Sequence, residues 1–166
     1  MTTEQKPVPT AQRITINIAF EALAEKINKV LEKNNRNNRK WQAGYNGNGQ
    51  KVVRIPEKSE KKYIAYTTAG KSVTQPFNLV NDSTLEFILN DTNSNTEAFN
   101  PQWLNILQTY PDLTLVNNSG TEVTYQVGLP THVTDPDEDD VDITIQFSYQ
   151  GEEFVVTWDP QIIVEV

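Results

Sequence analysis

The stretch "EEFVVTWDPQIIVEV", Glu152 to Val166, decides how this chain is read. Two apolar runs, "FVVTW" and "QIIVEV", are rich in β-branched and aromatic residues, which suit a pleated, half-buried surface. Asp159 and Pro160 stand between them. Proline has no amide hydrogen for a ladder, so within a sheet it belongs at a bulge or an edge. The residue before it is held in extended backbone. The two runs are therefore two strands, or one bent strand, broken at Asp159-Pro160. Trp158 is expected to anchor the core, and Asp159 and Pro160 to shape the break. Strand alternation then turns Ile162 and Val164 inward and Ile163 and Glu165 to the other face.

Working backward, "VDITIQFSY", "QGEE" and "FVVTW" read as a hairpin over a short Gly-containing loop. "LTLV", "NNSG" and "TEVTYQV" read as strand, turn and strand. "FNLV" and "TLEFIL" are strands around the turn signal "NDS". "QWLNILQTY" fits a strand or a short helix. "KKYIAYTTA" alternates as a strand, and "KVVRI" is a short strand stopped by Pro56. Nearer the start, "RITINIAF" sets Ile14, Ile16 and Ile18 on one face. Phe20, Leu23, Ala24, Ile27, Val30 and Leu31 then follow helical spacing, so a helix is expected from about Phe20 to Lys33. Short strands with turn signals between them indicate a sandwich or barrel. The expectation is a mainly β, single-domain antiparallel β-sandwich over 13–166, with one short N-terminal helix, and a flexible N-terminal arm over 1–12.

The chain has 166 residues, enough for one domain with a real core, and its apolar share of 37% is low for a globular protein. It has no cysteine, which excludes disulfides, thiol chemistry and zinc-thiolate sites. No apolar run approaches the ~20 residues that span a bilayer. "MTTEQKPVPT" lacks the apolar segment of a signal peptide. A soluble, cytoplasmic protein without membrane contact is expected.

Charge is unevenly spread. Up to Lys71 there are fourteen bases against six acids, and from Ser72 onward none against sixteen, giving +8 and −16. Either the two parts interleave and neutralise locally, or they form opposite faces that favour head-to-tail association.

Few residues could carry chemistry. His132 is the only histidine, and no nucleophile elbow, phosphate-binding Gly loop or paired metal-ligand histidines occur, so no catalytic residue is assigned and no enzyme is expected. "DPDEDDVD" gathers Asp135, Asp137, Glu138, Asp139, Asp140 and Asp142, hard oxygen donors of the kind calcium takes. It lacks the glycine and terminal glutamate of an EF-hand, and a solvated acidic run is the plainer reading. The loop "NNRNNRKWQAGYNGNGQ" interleaves Arg36, Arg39 and Lys40 with Trp41 and Tyr45, as single-stranded nucleic-acid sites do. The acidic remainder would repel a phosphate backbone, so no nucleic-acid partner is expected, and a solvated loop with one tryptophan anchoring it to the core is the plainer reading. Trp41, Tyr45, Trp103 and Tyr110 are candidate exposed aromatics for a small ligand or a sugar.

Taken together, "WDPQIIV" preceded by "ITIQFSYQGEEF", the opening "ITINIAFEALAEKI" and the central "YIAYTTAGKSVTQPFNLVNDSTLEFIL" resemble the bacterial inclusion-body protein family of the PixA/AidA type. The Trp158-Asp159-Pro160 ending is the specific part. The tryptophan and arginine usual near Glu86-Phe87 are missing. The resemblance implies a compact β-sandwich without a known catalytic site, associated with cytoplasmic inclusions and host-associated lifestyles. Two functions follow as expectations. One is a non-catalytic structural or interaction protein that self-associates as a homo-oligomer or larger assembly, its host partner unnamed. The other is a small-ligand or carbohydrate-binding module, with calcium as the one cofactor considered.

Overall fold

The computed structural model describes residues 11–33, 41–80, 82–108, 113–128 and 139–165. The first strand, β1 (Ala11–Ile18), buries Ile14, Ile16 and Ile18 as their alternation requires. The backbone then turns within one residue into α1 (Phe20–Glu32). Leu23 N–H donates to Ala19 O at 2.8 Å and closes the first turn. The helix buries Phe20, Leu23, Ala24, Ile27 and Val30, one stripe at helical spacing.

The chain then forms β2 (Gln42–Tyr45), β3 (Lys51–Arg54), α2 (Glu57–Tyr63), β4 (Ile64–Thr68), β5 (Lys71–Val73), β6 (Phe77–Val80) and β7 (Thr84–Asp91). Next come α3 (Thr96–Phe99), β8 (Gln102–Gln108), β9 (Leu113–Asn118), β10 (Glu122–Val127), β11 (Asp139–Tyr149), β12 (Glu152–Trp158) and β13 (Gln161–Glu165). One sheet has the order β5-β4-β1-β7-β10-β9. The other runs β2-β3-β12-β11-β13-β6, with β8 also on β11.

The mainly β class holds, and "QWLNILQ" forms strand β8, while Thr109 and Tyr110 lie outside the described residues. The sheets are mixed rather than purely antiparallel: β1 with β7, β3 with β12 and β6 with β13 run parallel. Each of these pairs joins segments far apart in sequence, and a parallel pair needs such a long crossover where a tight hairpin serves only an antiparallel one. The single expected helix is joined by two shorter ones. Lys61 to Tyr63, expected in a strand, lie in α2. That helix has Glu57 and Glu60 in its first turn and Lys61 and Lys62 in its last, the arrangement its dipole favours. Strand β1 begins at Ala11, inside the expected arm, and residues 1–10 lie outside the described ones.

The Asp159-Pro160 break has a topological reason. Ile143 pairs with Trp158 and Asp140 with Gln161, a step of three residues along both strands. β12 and β13 are thus one line in unbroken register on β11. On its other side that line changes neighbour, from β3, which ends opposite Thr157, to β6, which begins opposite Ile162. Pro160 sits where the neighbour changes and no donor is needed. The turn into this line is Gln150 and Gly151, both with positive φ (51° and 78°), the two-residue geometry that matches strand twist.

The two sheets meet through one core. Phe87 of the first lies 6.2 Å from Trp103 of the second, and Tyr66 lies edge-on to Phe77 at 4.7 Å. Phe20 of α1 stacks on Phe99 at 5.0 Å and packs on Phe147 at 4.9 Å. Trp158 and Ile162 are fully buried in this core.

Candidate functional site

A line of buried polar groups crosses the core at the break. Trp158 Nε1 donates to Tyr66 Oη at 3.0 Å, and Tyr66 Oη donates to Glu60 Oε1 at 2.9 Å. Gln75 Nε2 donates to the same Oε1 at 2.6 Å, and Gln75 Oε1 accepts the Gln161 N–H at 2.7 Å. Glu60 is thereby tied to both strands that flank Asp159 and Pro160. Its side chain comes from the first turn of α2 and is only 6% exposed. Burial raises its carboxyl above the ordinary 4.5, against the lowering effect of the bonds from Tyr66 and Gln75. Burial, and after it the neighbouring Glu60, push the Tyr66 phenol far above its usual range, so it stays a donor.

Glu60, Tyr66, Gln75 and Gln161 line a cavity of about 490 Å³ together with Glu57, Lys61 and Asp159. Its apolar wall includes Ile64 and Val73. Volume and lining match those of small-molecule pockets. The sequence hid this site because "KKYIAYTTA" reads as one strand, which leaves Glu57 and Glu60 outside any element. The usable signal was the spacing of Glu57, Glu60, Lys61 and Lys62, which fits a helix better than a strand.

A second feature is the outer edge of the first sheet. β9 bonds to β10 on one side and is the last strand in its sheet. Its sequence, "LTLVNN", has no charge and no proline. Leu115 and Val116 are 54% and 62% exposed. A bulge explains two neighbouring exposed side chains: Tyr125 pairs with Leu115 and Thr124 with Asn117, leaving Val116 unpaired between them.

The sequence-derived candidates fall as follows. Trp41 and Trp103 are buried, at 4% and 6% exposure, and so present no free stacking face. Trp41 is edge-on to Tyr63 at 5.6 Å with Lys26 Nζ 5.7 Å from its ring, and Trp103 fills the gap between the sheets. Both correct the expectation of exposed ligand-binding aromatics, and Trp41 is instead the core anchor that the plainer reading of its loop expects. Tyr45 is exposed, at 65%. Tyr110, His132, Asp135, Asp137 and Glu138 lie outside the described residues, as do Arg36, Arg39 and Lys40. Asp139 and Asp140 belong to β11, paired with Ile162 and Gln161. Asp142 takes Arg54 in a fork, with Nη2 to Oδ1 at 2.7 Å and Nη1 to Oδ2 at 3.3 Å. Among the described residues no group of three or more acids, histidines or cysteines could hold a metal.

Charge segregation is resolved in part at the ion pairs. Arg13 meets Glu86, Lys51 meets Glu152 and Arg54 meets Asp142. Each joins a base from the first part to an acid from the second. The parallel pairings bring them together: Arg13 stands opposite Glu86 in the β1–β7 register.

No protein-family model matches the chain, and no curated protein matches it. A crystal structure of the inclusion body protein PixA from Burkholderia cenocepacia is similar over 99% of this chain and 100% of its own, at 7% identity and a TM-score of 0.42. So slight a likeness does not place this chain in that family. Among the described residues no helix is long and apolar enough to cross a membrane.

Proposed function

We propose that this protein is a non-catalytic structural protein that associates with copies of itself, the behaviour from which an inclusion body is built. The observation that carries the reading is the edge at β9, which among the described strands pairs with β10 alone. Natural sheets blunt their edges with lysine, proline, inward charges or very short strands. Among the described residues β9 shows only a bulge, and it leaves Leu115 and Val116 in water. The occupant is a second β9, set antiparallel about a twofold axis, so that the two edges meet around Leu115 and Val116. Burying a half-exposed Leu or Val contributes about 1 kcal/mol, and each new backbone bond about as much. Association costs several kcal/mol in lost freedom, so one such contact is weak and an assembly needs many.

Each copy carries a net charge of −8, so copies repel at low salt. Screening acts over about 10 Å at 0.1 M, and association through an apolar edge therefore strengthens as salt rises. Sedimentation velocity across protein and salt concentration tests this. The expected result is concentration-dependent association that grows with salt and is lost in the Leu115→Lys/Val116→Lys double variant. Both positions are exposed, so the variant keeps its fold. Association that weakens with salt, or that survives the double substitution, overturns the reading.

A further inference from the structure

We propose that the cavity at the Asp159-Pro160 break is a binding site for a small primary ammonium ion with an apolar body, held by the Glu60 carboxyl. The site lies away from β9 and is independent of self-association. Three observations converge on it. The first is the cavity, about 490 Å³, with Ile64 and Val73 available to an alkyl chain. The second is the charge of its lining: Glu57, Glu60 and Asp159 are acidic and Lys61 alone is basic. An anionic ligand would meet three carboxylates, whereas a cation is attracted by them.

The third is the state of Glu60. It is more than nine-tenths buried and faces the cavity. Both of its protein donors, Tyr66 Oη and Gln75 Nε2, are spent on Oε1. Oε2 accepts no hydrogen bond among the described residues. Tyr66 cannot turn to serve it without losing Oε1, because the Trp158 indole N–H fixes the orientation of the phenol from behind. Gln75 is fixed in the same way by the Gln161 amide. The structure thus presents one acceptor oxygen, rigidly supported, with no donor among the described residues and, as counter-charge, only that of the exposed Lys61 acting on it. An ammonium supplies both, whereas a hydroxyl supplies only the donor. Lys61 acts on Glu60 through its charge alone: it is exposed on α2, and among the described residues no ion pair or hydrogen bond joins the two.

The test is a ¹⁵N–¹H titration of the protein with n-hexylammonium chloride, and in parallel with n-hexanol, at neutral pH. Expected are saturable shifts at the amides of α2, β4 and Gln161 with the amine, and at least about tenfold weaker binding of the alcohol. Glu60→Gln keeps the shape and can still accept from Tyr66 and Gln75, so it should fold and lose about tenfold in amine affinity. Asp159→Asn, at an exposed position, should weaken the amine about threefold and leave the alcohol unchanged; it decides the matter should Glu60→Gln fail to fold. Equal binding of amine and alcohol, full amine affinity in both variants, or no saturable shift with the amine would each overturn the proposal.

Discussion

Replacing Trp158 by alanine is the sharpest test of the fold. Trp158 is completely buried and heads the fully buried side chains by size. Removing such a ring from a core costs ~3–5 kcal/mol, a transfer part plus the cavity that the neighbours fail to fill. The lost hydrogen bond adds little, because Tyr66 Oη still has Glu60 to donate to and loses only an accepted bond, about 1 kcal/mol. The total lies near the top of that range. A domain holds only about 5–15 kcal/mol in all. With a urea slope of roughly 2 kcal/mol per molar, the midpoint should fall by about 2 M. Far-UV circular dichroism during urea denaturation reads it. Trp158→Phe keeps most of the ring and should lose roughly 1–3 kcal/mol, which separates bulk from the indole N–H. A Trp158→Ala midpoint within a few tenths of a molar of wild type would refute the reasoning. It would mean that Trp158 is not the anchor that joins β12 to β4 across the core.

Two further outcomes are expected. For Glu60 the folded value lies above the ordinary 4.5, so below that pH both states hold the proton and its contribution is fully present. As pH rises the unfolded state gives up the proton first, and stability is lost until pH passes the folded value. Thermal melts of wild type and Glu60→Gln from about pH 4 to 8 should therefore show a difference that falls with pH and then levels; a flat difference would refute the assignment. Calcium at about 1–5 mM should leave the melting temperature unchanged, because Asp142 is already forked to Arg54. A rise of several degrees that vanishes in Asp142→Asn would show the acidic segment to be a calcium site.

The strands were legible because their periodicity was strong. Ile14, Ile16 and Ile18 alternate, and the helix that follows switches cleanly to a stripe from Phe20 to Val30. Asp159-Pro160 marked its own break. What a sequence period cannot reveal is which distant strand lies alongside. The parallel pairs β1–β7, β3–β12 and β6–β13 depend on contacts between remote segments, and with them went the ion pairs that interleave the two charge blocks. The aromatics misled because tryptophan beside basic and polar residues reads as surface. Trp41 is buried by α1 and Tyr63, which local pattern does not place there. The cavity was least legible of all. It is assembled from α2, β4, the segment at Gln75 and the break at Asp159, four places that no short window contains.

The unbroken line of β12 and β13 also sets an order of events during synthesis. Lys51 waits for Phe154, and Phe77 waits for Ile162. Until residues 152–165 have emerged from the ribosome, β3 and β6 each lack the neighbour that shields their edge, and Phe77 and Leu79 have no sheet to complete. The first sheet has all six of its strands by Val127, so it can form while the second is still partial. Pairings this remote in sequence close slowly and leave strand edges exposed meanwhile. A newly made chain therefore passes through an interval in which it offers more open edges to its neighbours than the finished fold does, and crowding of nascent chains on one messenger would favour contact between copies at that moment.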